Sequence, residues 1–474
     1  MPAVRLSLLV PLLLLALAAP ARAEVLPPVK HVFVIVLENK DFDDSFGASS
    51  PAAYLTKELT AKGQLLRQYY GTSHVSLGNY ITMVSGQAPN PDTQSDCNSG
   101  FKNVFPGVMG PDGQIVGAGC VYPAEAKTVA DQLEAKGLTW RGYMEDMGAD
   151  PSRDKATCAH PAIGESDPTQ SASASDQYAT RHNPFVYFHS VIDDQKRCDA
   201  RVVNLRELGP DLAEAATTPS FAFITPDLCS DGHDTGCADG RPGGLKSVDD
   251  FLKTWVPRIQ ASPGYAEGGM IVITWDEGES PQPSSSQACC NEPTGVNTPM
   301  PGVVGPGGGR TGTVVLSQYV VPGSVNDTPY NHYSLLRSIE DLFGLGHLGY
   351  AGMASLKPFG GDVYGAAGTV DLTRPGSSRA PCTLRPLRAR KKKLTSGALV
   401  TGLKIERRSA SRVALRVTTA RRSRLYAHVP GRRRALQRHG RRCGSVLFAL
   451  PRTHGRVRLA ASVRKGTERR TIVY

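Results

Sequence analysis

The segment MIVITWDEGE (270–279) decides the fold. Met270–Trp275 is strand-like and almost wholly apolar, and it runs straight into the doublet Asp276-Glu277. The same construction occurs twice more: KHVFVIVL (30–37) leads into Glu38-Asn39, and FAFIT (221–225) into Pro226-Asp227. Continuous apolar runs of this kind read as strands buried on both faces, which is how parallel sheets are written. In open α/β sheets the ligand lies beyond the carboxyl ends of the strands. The expectation is an α/β domain with a central, mostly parallel sheet. Its carboxylates should gather along one edge, where a hard cation and a phosphate can be held.

Working outward, residues 24–373 read as one large catalytic domain. Between Ala88 and Thr218 the chain is rich in Gly, Pro, Ser and Asp, which predicts loops plus two or three helices, one of them at Ala124–Lys136. Ser280–Gly309 reads as a loop-rich insertion. Its Gly307-Gly308-Gly309 run lacks the Lys-Ser/Thr that follows in a phosphate loop, so a plain surface loop is expected there. Tyr333–Leu345 (YSLLRSIEDLFGL) has helical spacing of Leu335, Ile339, Leu342 and Phe343 and a stop near Gly344.

Residues 374–382 form a linker, and residues 383–474 a small all-β, sandwich-like domain. The latter carries alternating runs at Ala398–Ile405, Arg412–Thr418, Arg424–Val429, Ser445–Leu450, Arg456–Val463 and Thr471–Tyr474. Charge divides along the same boundary. Residues 375–474 hold 28 Lys and Arg against two acids, and the rest of the chain holds 26 against 41. Two modules with different partners are implied.

Arg5, the apolar stretch Leu6–Ala18 and Ala21-Arg22-Ala23 have the form of a secretory signal peptide cleaved near Ala23. No later stretch is long and apolar enough to span a bilayer. The expected location is therefore extracellular or associated with the cell envelope. Ten cysteines suit an oxidising compartment. Cys229 and Cys237 enclose a short polar loop and are the first choice for a bridge, while Cys382 with Cys443 is the pairing internal to the C-terminal region.

The chemistry starts at SHVSLGNY (73–80), a loop leading into a helix with Ser76 near its N-terminus. A serine there ordinarily caps the helix. The same position also offers free N–H groups to an incoming phosphate, and a metal can activate the hydroxyl as a nucleophile. Glu38, Asn39, Asp276 and Glu277 are oxygen donors, three of them anionic, a set that favours a hard divalent ion such as Mg, Ca, Mn or Fe over Zn. His182, His233 and His332 have polar neighbours. They can donate to phosphate oxygens, protonate a leaving alkoxide or bind a second metal. His74 can cap or orient the loop.

These segments resemble the bacterial phosphoesterase family of secreted acid phosphatases and phospholipases C, within the alkaline-phosphatase-like superfamily. The matching segments are LENKDFDDSFG (37–47), SHVSLGNYITMVSGQ (73–87), RHNPFVYF (181–188), ITPDLCSDGHD (224–234), VITWDEGE (272–279) and TPYNHYSLLRSIEDLFGL (328–345). The likeness is greatest to the acid-phosphatase branch, described as phosphatidylinositol-3-phosphatase-like. It implies metal ligation by Glu38, Asn39, Ser76, Asp276 and Glu277. It also implies Ser76 as nucleophile with His233 and His332 as catalytic partners, and Asn79, His182 and Asp234 around the phosphate. Gly78 stands where relatives commonly have proline, and Glu279-Ser280 where a glycine-rich stretch is usual.

The expected activity is hydrolysis of phosphate monoesters through a phosphoserine. A phosphodiesterase of the phospholipase C type is one alternative, and a non-catalytic envelope-binding protein is another. The basic C-terminal region is expected to meet an anionic cell-envelope polymer or lipid. It has few aromatics to stack bases, which argues against nucleic acid.

Overall fold

The computed structural model describes residues 26–365 and, beyond them, the backbone of seven strands between Val400 and Val473. The chain divides into two compact units, Met1–Val370 and Asp371–Tyr474.

The first unit is built on an eight-stranded sheet. Its strands are β1 (His31–Leu37), β2 (Gln64–Leu66), β3 (Trp140–Met144), β4 (Val202–Asn204), β5 (Phe221–Thr225), β6 (Gly269–Trp275), β7 (Thr313–Ser317) and β8 (Ser324–Asn326), in the spatial order β8-β2-β7-β6-β1-β5-β3-β4. Only β7 runs against the rest. The mixed α/β class and the mostly parallel sheet are those expected from the three apolar runs.

Every residue of β1 and β6 is buried, because helices cover both faces of the sheet. Successive strand residues point to opposite faces. Val32, Val34 and Val36 join one core together with Leu77, Tyr80, Ile81 and Val84 of α1 (Ser76–Ser85). Residues of α2 (Val129–Ala135) and of α4 (His332–Phe343) complete that layer. Phe33, Ile35 and Leu37 join the other core, against Val248, Leu252, Val256 and Ile259 of α3 (Gly244–Ala261). That spacing places one stripe of α3 on the sheet. Each such side chain contributes about 1.5–3 kcal/mol by leaving water.

Several expectations need correction. The helix expected at Ala124–Lys136 begins only at Val129, because Thr128 and Asp131 form a reciprocal cap there. The Ala88–Thr218 region is not only loops and helices. It supplies the sheet strands β3 and β4, and a separate hairpin of Phe105–Met109 with Ile115–Ala118. Arg141 and Gly142 interrupt the apolar pattern of β3, and β4 has only three residues, so neither carries a strong strand signature.

Gly307-Gly308-Gly309 is buried rather than on the surface. Gly308 N donates to Gly71 O, and a Cβ on Gly308 would lie 2.3 Å from Ser73 O, so only glycine lets the insertion close against the Ser76 loop.

In the second unit, Val400–Ser409, Arg412–Thr419 and Gly444–Leu450 form one antiparallel sheet. Leu436–Gly440, Ser423–His428, Arg456–Val463 and Gly466–Val473 form a second. Leu436–Gly440 (LQRHG) was not anticipated, since it lacks apolar alternation. The packing of these sheets, the signal segment, the linker and the Cys382–Cys443 pairing lie outside the described residues.

Candidate active site

Strand register brings the acidic doublets together. Leu37 pairs with Trp275 across the parallel β1–β6 ladder, so the next residues, Glu38 and Asp276, leave the sheet side by side. Asp276 N donates to Leu37 O (2.8 Å), and Asn39 N donates to Asp276 Oδ1 (3.0 Å). Asn39 turns the chain with φ 54°, a conformation that asparagine tolerates better than most residues.

Ser76 is the first residue of α1, and the cap position belongs to Val75, which makes no side-chain cap. The Ser76 hydroxyl instead donates to Glu38 Oε2 at 2.8 Å. One turn later, Tyr80 OH donates to Glu38 Oε1 at 2.5 Å. Residues four apart share a helix face, so α1 grips both oxygens of one carboxylate. Glu38 is fully buried and Ser76 nearly so.

Two further groups close on Glu38. His182 Nε2 lies 3.5 Å from Glu38 Oε2, and its Nδ1 lies 3.3 Å from Asp231 Oδ2. The His182 ring stacks on Tyr80 at 5.2 Å. Glu38, His182 and Asp231 thus present a carboxylate, an imidazole and a second carboxylate to one point.

Burial pushes the Glu38 carboxyl well above the ordinary range, and Asp276 and Asp231 add to the rise. Burial also raises Asp231 and Asp276. It lowers His182 well below a free imidazole, with Arg181 and His233 contributing, so the ring is neutral and able to ligate.

His233 and Asp234 form the partly exposed rim, with His233 Nδ1 2.7 Å from Asp234 Oδ1. The His182 and His233 rings are 6.3 Å apart, which places His233 beside the buried group.

The Phosphoesterase family model matches residues 49–346. The chain belongs to the Phosphoesterase family. A phosphate-repressible acid phosphatase of Penicillium chrysogenum is 27% identical over 342 residues, covering 69% of this chain and 65% of that one. A phosphatidylinositol-3-phosphatase of Mycobacterium tuberculosis is 23% identical over 332 residues, covering 69% and 82%. The chain spans less than two thirds of the length of the fungal acid phosphatases it matches. A Vibrio parahaemolyticus protein of the alkaline phosphatase superfamily aligns over 93% of this chain and 81% of its own, with 10% identity and a TM-score of 0.40. The family assignment rests on the sequence match alone.

Three residues read from the sequence have different surroundings in this family member from those expected. His332 does not face the site opening. Its Nε2 lies 2.6 Å from Asp276 O and its Nδ1 3.1 Å from Tyr69 OH. A carbonyl only accepts, so Nε2 carries the proton and the tyrosine hydroxyl donates to Nδ1. Burial pushes His332 down to about 4, and the ring is a neutral prop beneath Asp276.

Asn79 is also occupied. Its Oδ1 accepts from Thr72 N and Ser73 N, and its Nδ2 donates to Ser73 O, which holds the loop before Ser76. Glu277 turns to His74, whose Nδ1 is 2.5 Å from Glu277 Oε2.

Asp231 and Tyr69 were not singled out from sequence. Asp231 stands inside a quoted motif, and His74 was read only as a residue that caps or orients the Ser76 loop.

The donor set fits a divalent cation. Glu38, Asp231 and Asp276 are fully buried, and among the described residues no Lys or Arg pairs with any of them. Among the described residues Asp276 Oδ2, Asp231 Oδ2 and both His182 nitrogens have no hydrogen-bond partner. Uncompensated buried carboxylates are costly, and metal coordination is one of the few ways to satisfy them. Oxygen donors dominate, which suits a hard ion.

Proposed function

We propose that this chain hydrolyses phosphate monoesters, with Ser76 as the nucleophile. The observation that carries this reading is the Ser76 hydroxyl, held at the start of a ten-residue helix and directed at buried Glu38. The names of the related proteins support a phosphomonoester as substrate, including one carried on an inositol lipid.

Glu38, Asp276 and Ser76 would hold the divalent ion, with Asn39 at the turn beside them and Asp231 with His182 on the other side of Glu38. Such an ion supplies positive charge that lowers the pKa of the hydroxyl and neutralises phosphate oxygens. Glu38 Oε2 fixes the direction of the Ser76 proton. Ser76 Oγ would attack phosphorus in line, passing its proton to Glu38 Oε2 as the ester oxygen–phosphorus bond breaks. His233, oriented by Asp234 on the rim, is placed to protonate the departing alkoxide. Water would then attack the phosphoserine, giving a proton to His233 as the Ser76 oxygen–phosphorus bond breaks and Ser76 takes its proton back from Glu38, which releases phosphate. His332, Asn79 and His74 act from behind, by holding Asp276, the Ser76 loop and Glu277.

In this reading residues 24–373 form the catalytic domain, 374–382 the linker and 383–474 the basic domain. Export is part of the proposal, and four disulfides among the described residues support it. No helix among the described residues is long and apolar enough to cross a membrane. The excess of bases after residue 375 suits attachment to an anionic envelope polymer or lipid. Salt-sensitive retention on envelope material, lost in a chain ending at residue 372, is the expected result.

The deciding experiment compares p-nitrophenyl phosphate with p-nitrophenylphosphorylcholine across pH, with and without chelator. Preference for the monoester, lost on chelation, is expected. Preference for the diester would replace the reading with a phospholipase C, and inertness toward both would leave an envelope-binding protein.

A further inference from the structure

An amide expected to be free for phosphate is occupied. Leu77 N, next to Ser76 in α1, donates to Asp96 Oδ1 at 2.9 Å. The same carboxylate faces a cation, with Arg181 Nε 3.6 Å from Asp96 Oδ2. The Asp96 side chain is 16% exposed and that of Arg181 5%, so solvent reaches the carboxylate and hardly reaches the guanidinium.

Asp96 lies in the loop beyond α1 and is held in place there. Its backbone turns with φ 49°, in the left-handed region that aspartate tolerates, directly before Cys97, which is bridged to Cys120. Asp96 N donates to Thr93 O, and Cys97 N to Asp92 O. Gln170 ties the two charged partners together: its Nε2 donates to Asp96 O (2.9 Å), and its backbone O accepts from Arg181 Nη1 (3.1 Å). Burial raises the Asp96 carboxyl, Arg181 and the Leu77 N–H hold it down, and Asp276 and His233 also act on its charge. Asp96 thus stands within electrostatic reach of the groups around Ser76. One carboxylate takes both a helix N-terminal amide and a guanidinium, two donors that suit phosphate oxygens.

We propose that the Asp96 carboxylate occupies the place of the substrate's phosphate, and that substrate binds by displacing it. Ser76 and Leu77 are neighbours, so a phosphoryl group on Ser76 Oγ lies beside the amide that Asp96 holds. A monoester dianion brings more charge to Arg181 than the carboxylate it replaces. Affinity is reduced in return: only the vacated state binds phosphate, and apparent binding weakens by the fraction of chains in that state. Release gains, because Asp96 re-enters as product phosphate leaves. Competition between Asp96 and phosphate stands on these contacts. That the displacing phosphate belongs to a substrate rests on the phosphatase reading.

The test uses the full chain as purified, without chelator, and inorganic phosphate as the probe. Phosphate binding is measured by calorimetry and as competitive inhibition of p-nitrophenyl phosphate hydrolysis, in the wild type, Asp96→Asn and Asp96→Ala. Asp96→Asn removes the charge and keeps the shape, and it decides the matter where Asp96→Ala does not fold. Both variants should bind phosphate about tenfold or more tightly, and KM for p-nitrophenyl phosphate should fall in step. Loss of a helix cap alone would lower the melting temperature and leave phosphate affinity and KM where they were. Unchanged or weaker phosphate binding in Asp96→Asn would overturn the proposal, as would phosphate binding by none of the three chains. Tighter phosphate binding in Asp96→Asn, with no chain hydrolysing p-nitrophenyl phosphate or p-nitrophenylphosphorylcholine, would leave the competition standing and remove the phosphatase reading instead.

Discussion

His74 and Glu277 form a sealed ion pair: Nδ1 and Oε2 are 2.5 Å apart, and the two side chains are 0% and 4% exposed. The other imidazole nitrogen points to Ser285 O at 2.8 Å, and the Ser285 hydroxyl donates to Asp41 Oδ2 at 2.6 Å. Burial opposes charging of His74, but Glu277 and the Ser285 carbonyl together hold its pKa above that of a free imidazole. Burial also raises Glu277, with His74 working against the rise. Breaking a buried pair from one side leaves its partner uncompensated, at a cost of about 3–5 kcal/mol. His74→Ala should therefore lower the unfolding free energy by about that amount, measured as a shift in urea midpoint.

Ser76→Ala removes the proposed nucleophile and one of the two donors to Glu38. Turnover of a phosphomonoester should fall roughly 10³-fold or more, as it does when a nucleophile is lost. The fold should survive, because Tyr80 still holds Glu38 and the helix cap was never the serine side chain. Single-turnover assays with purified variant, alongside circular dichroism, give both answers.

Tyr80→Phe separates support from chemistry. It leaves Ser76 in place and strips the 2.5 Å donor from Glu38 Oε1. An unsatisfied buried acceptor costs about 1–3 kcal/mol, so the melting temperature should drop while most of the turnover remains. A loss of turnover as large as that in Ser76→Ala, with an unchanged melting curve, would mean that Tyr80 acts in the reaction.

The sequence displayed the sheet's centre more clearly than its margin. β1 and β6 are buried on both faces, so their composition is continuous and needs no alternation to be seen. β3 and β4 carry Arg141, Gly142 and Asn204 because they lie toward the edge, and their membership depends on tertiary pairing. At the site, Glu38 and Asp276 were legible because strand ends fix their position. The loop ITPDLCSDGHD was harder, since it offers Asp227, Asp231 and Asp234 with nothing local to choose among them. Asp227 instead accepts from Cys229 N and Ser230 N and pairs with Arg241, while the turn from Asp227 to Asp231 delivers Asp231 to His182. The His74–Glu277 pair joins residues about two hundred positions apart. No local pattern encodes such a contact.

Removing divalent ions should destabilise as well as inactivate. Glu38, Asp231 and Asp276 are buried together, and each is raised by burial. An ion that binds only the folded state adds stability by mass action, about 2.7 kcal/mol at a hundredfold excess over its Kd. Chelated protein should melt several degrees lower, and readdition of a hard ion such as Mg²⁺, Ca²⁺ or Mn²⁺ should restore both melting temperature and turnover. In Glu38→Gln the ion-dependent rise in melting temperature should be much smaller.

Acid tolerance should depend in part on Asp362, which is remote from the site. Partial burial would raise its carboxyl, but Lys357, Tyr330, Thr328 and Asn326 all donate to it or pair with it and hold it down at about 2. A carboxyl whose folded pKa lies below its unfolded value of about 3.9 stabilises the fold above that value. The contribution disappears as pH falls through the folded pKa. It should be fully present at neutral pH, decline from about pH 4 and be gone near pH 2. Solvent reaches the carboxylate, so the effect is modest: Asp362→Asn should cost about 1 kcal/mol at pH 7. Urea unfolding at a series of pH values is the measurement. The wild-type and Asp362→Asn stability curves should draw together below about pH 4, meet near pH 2 and stay parallel above about pH 5.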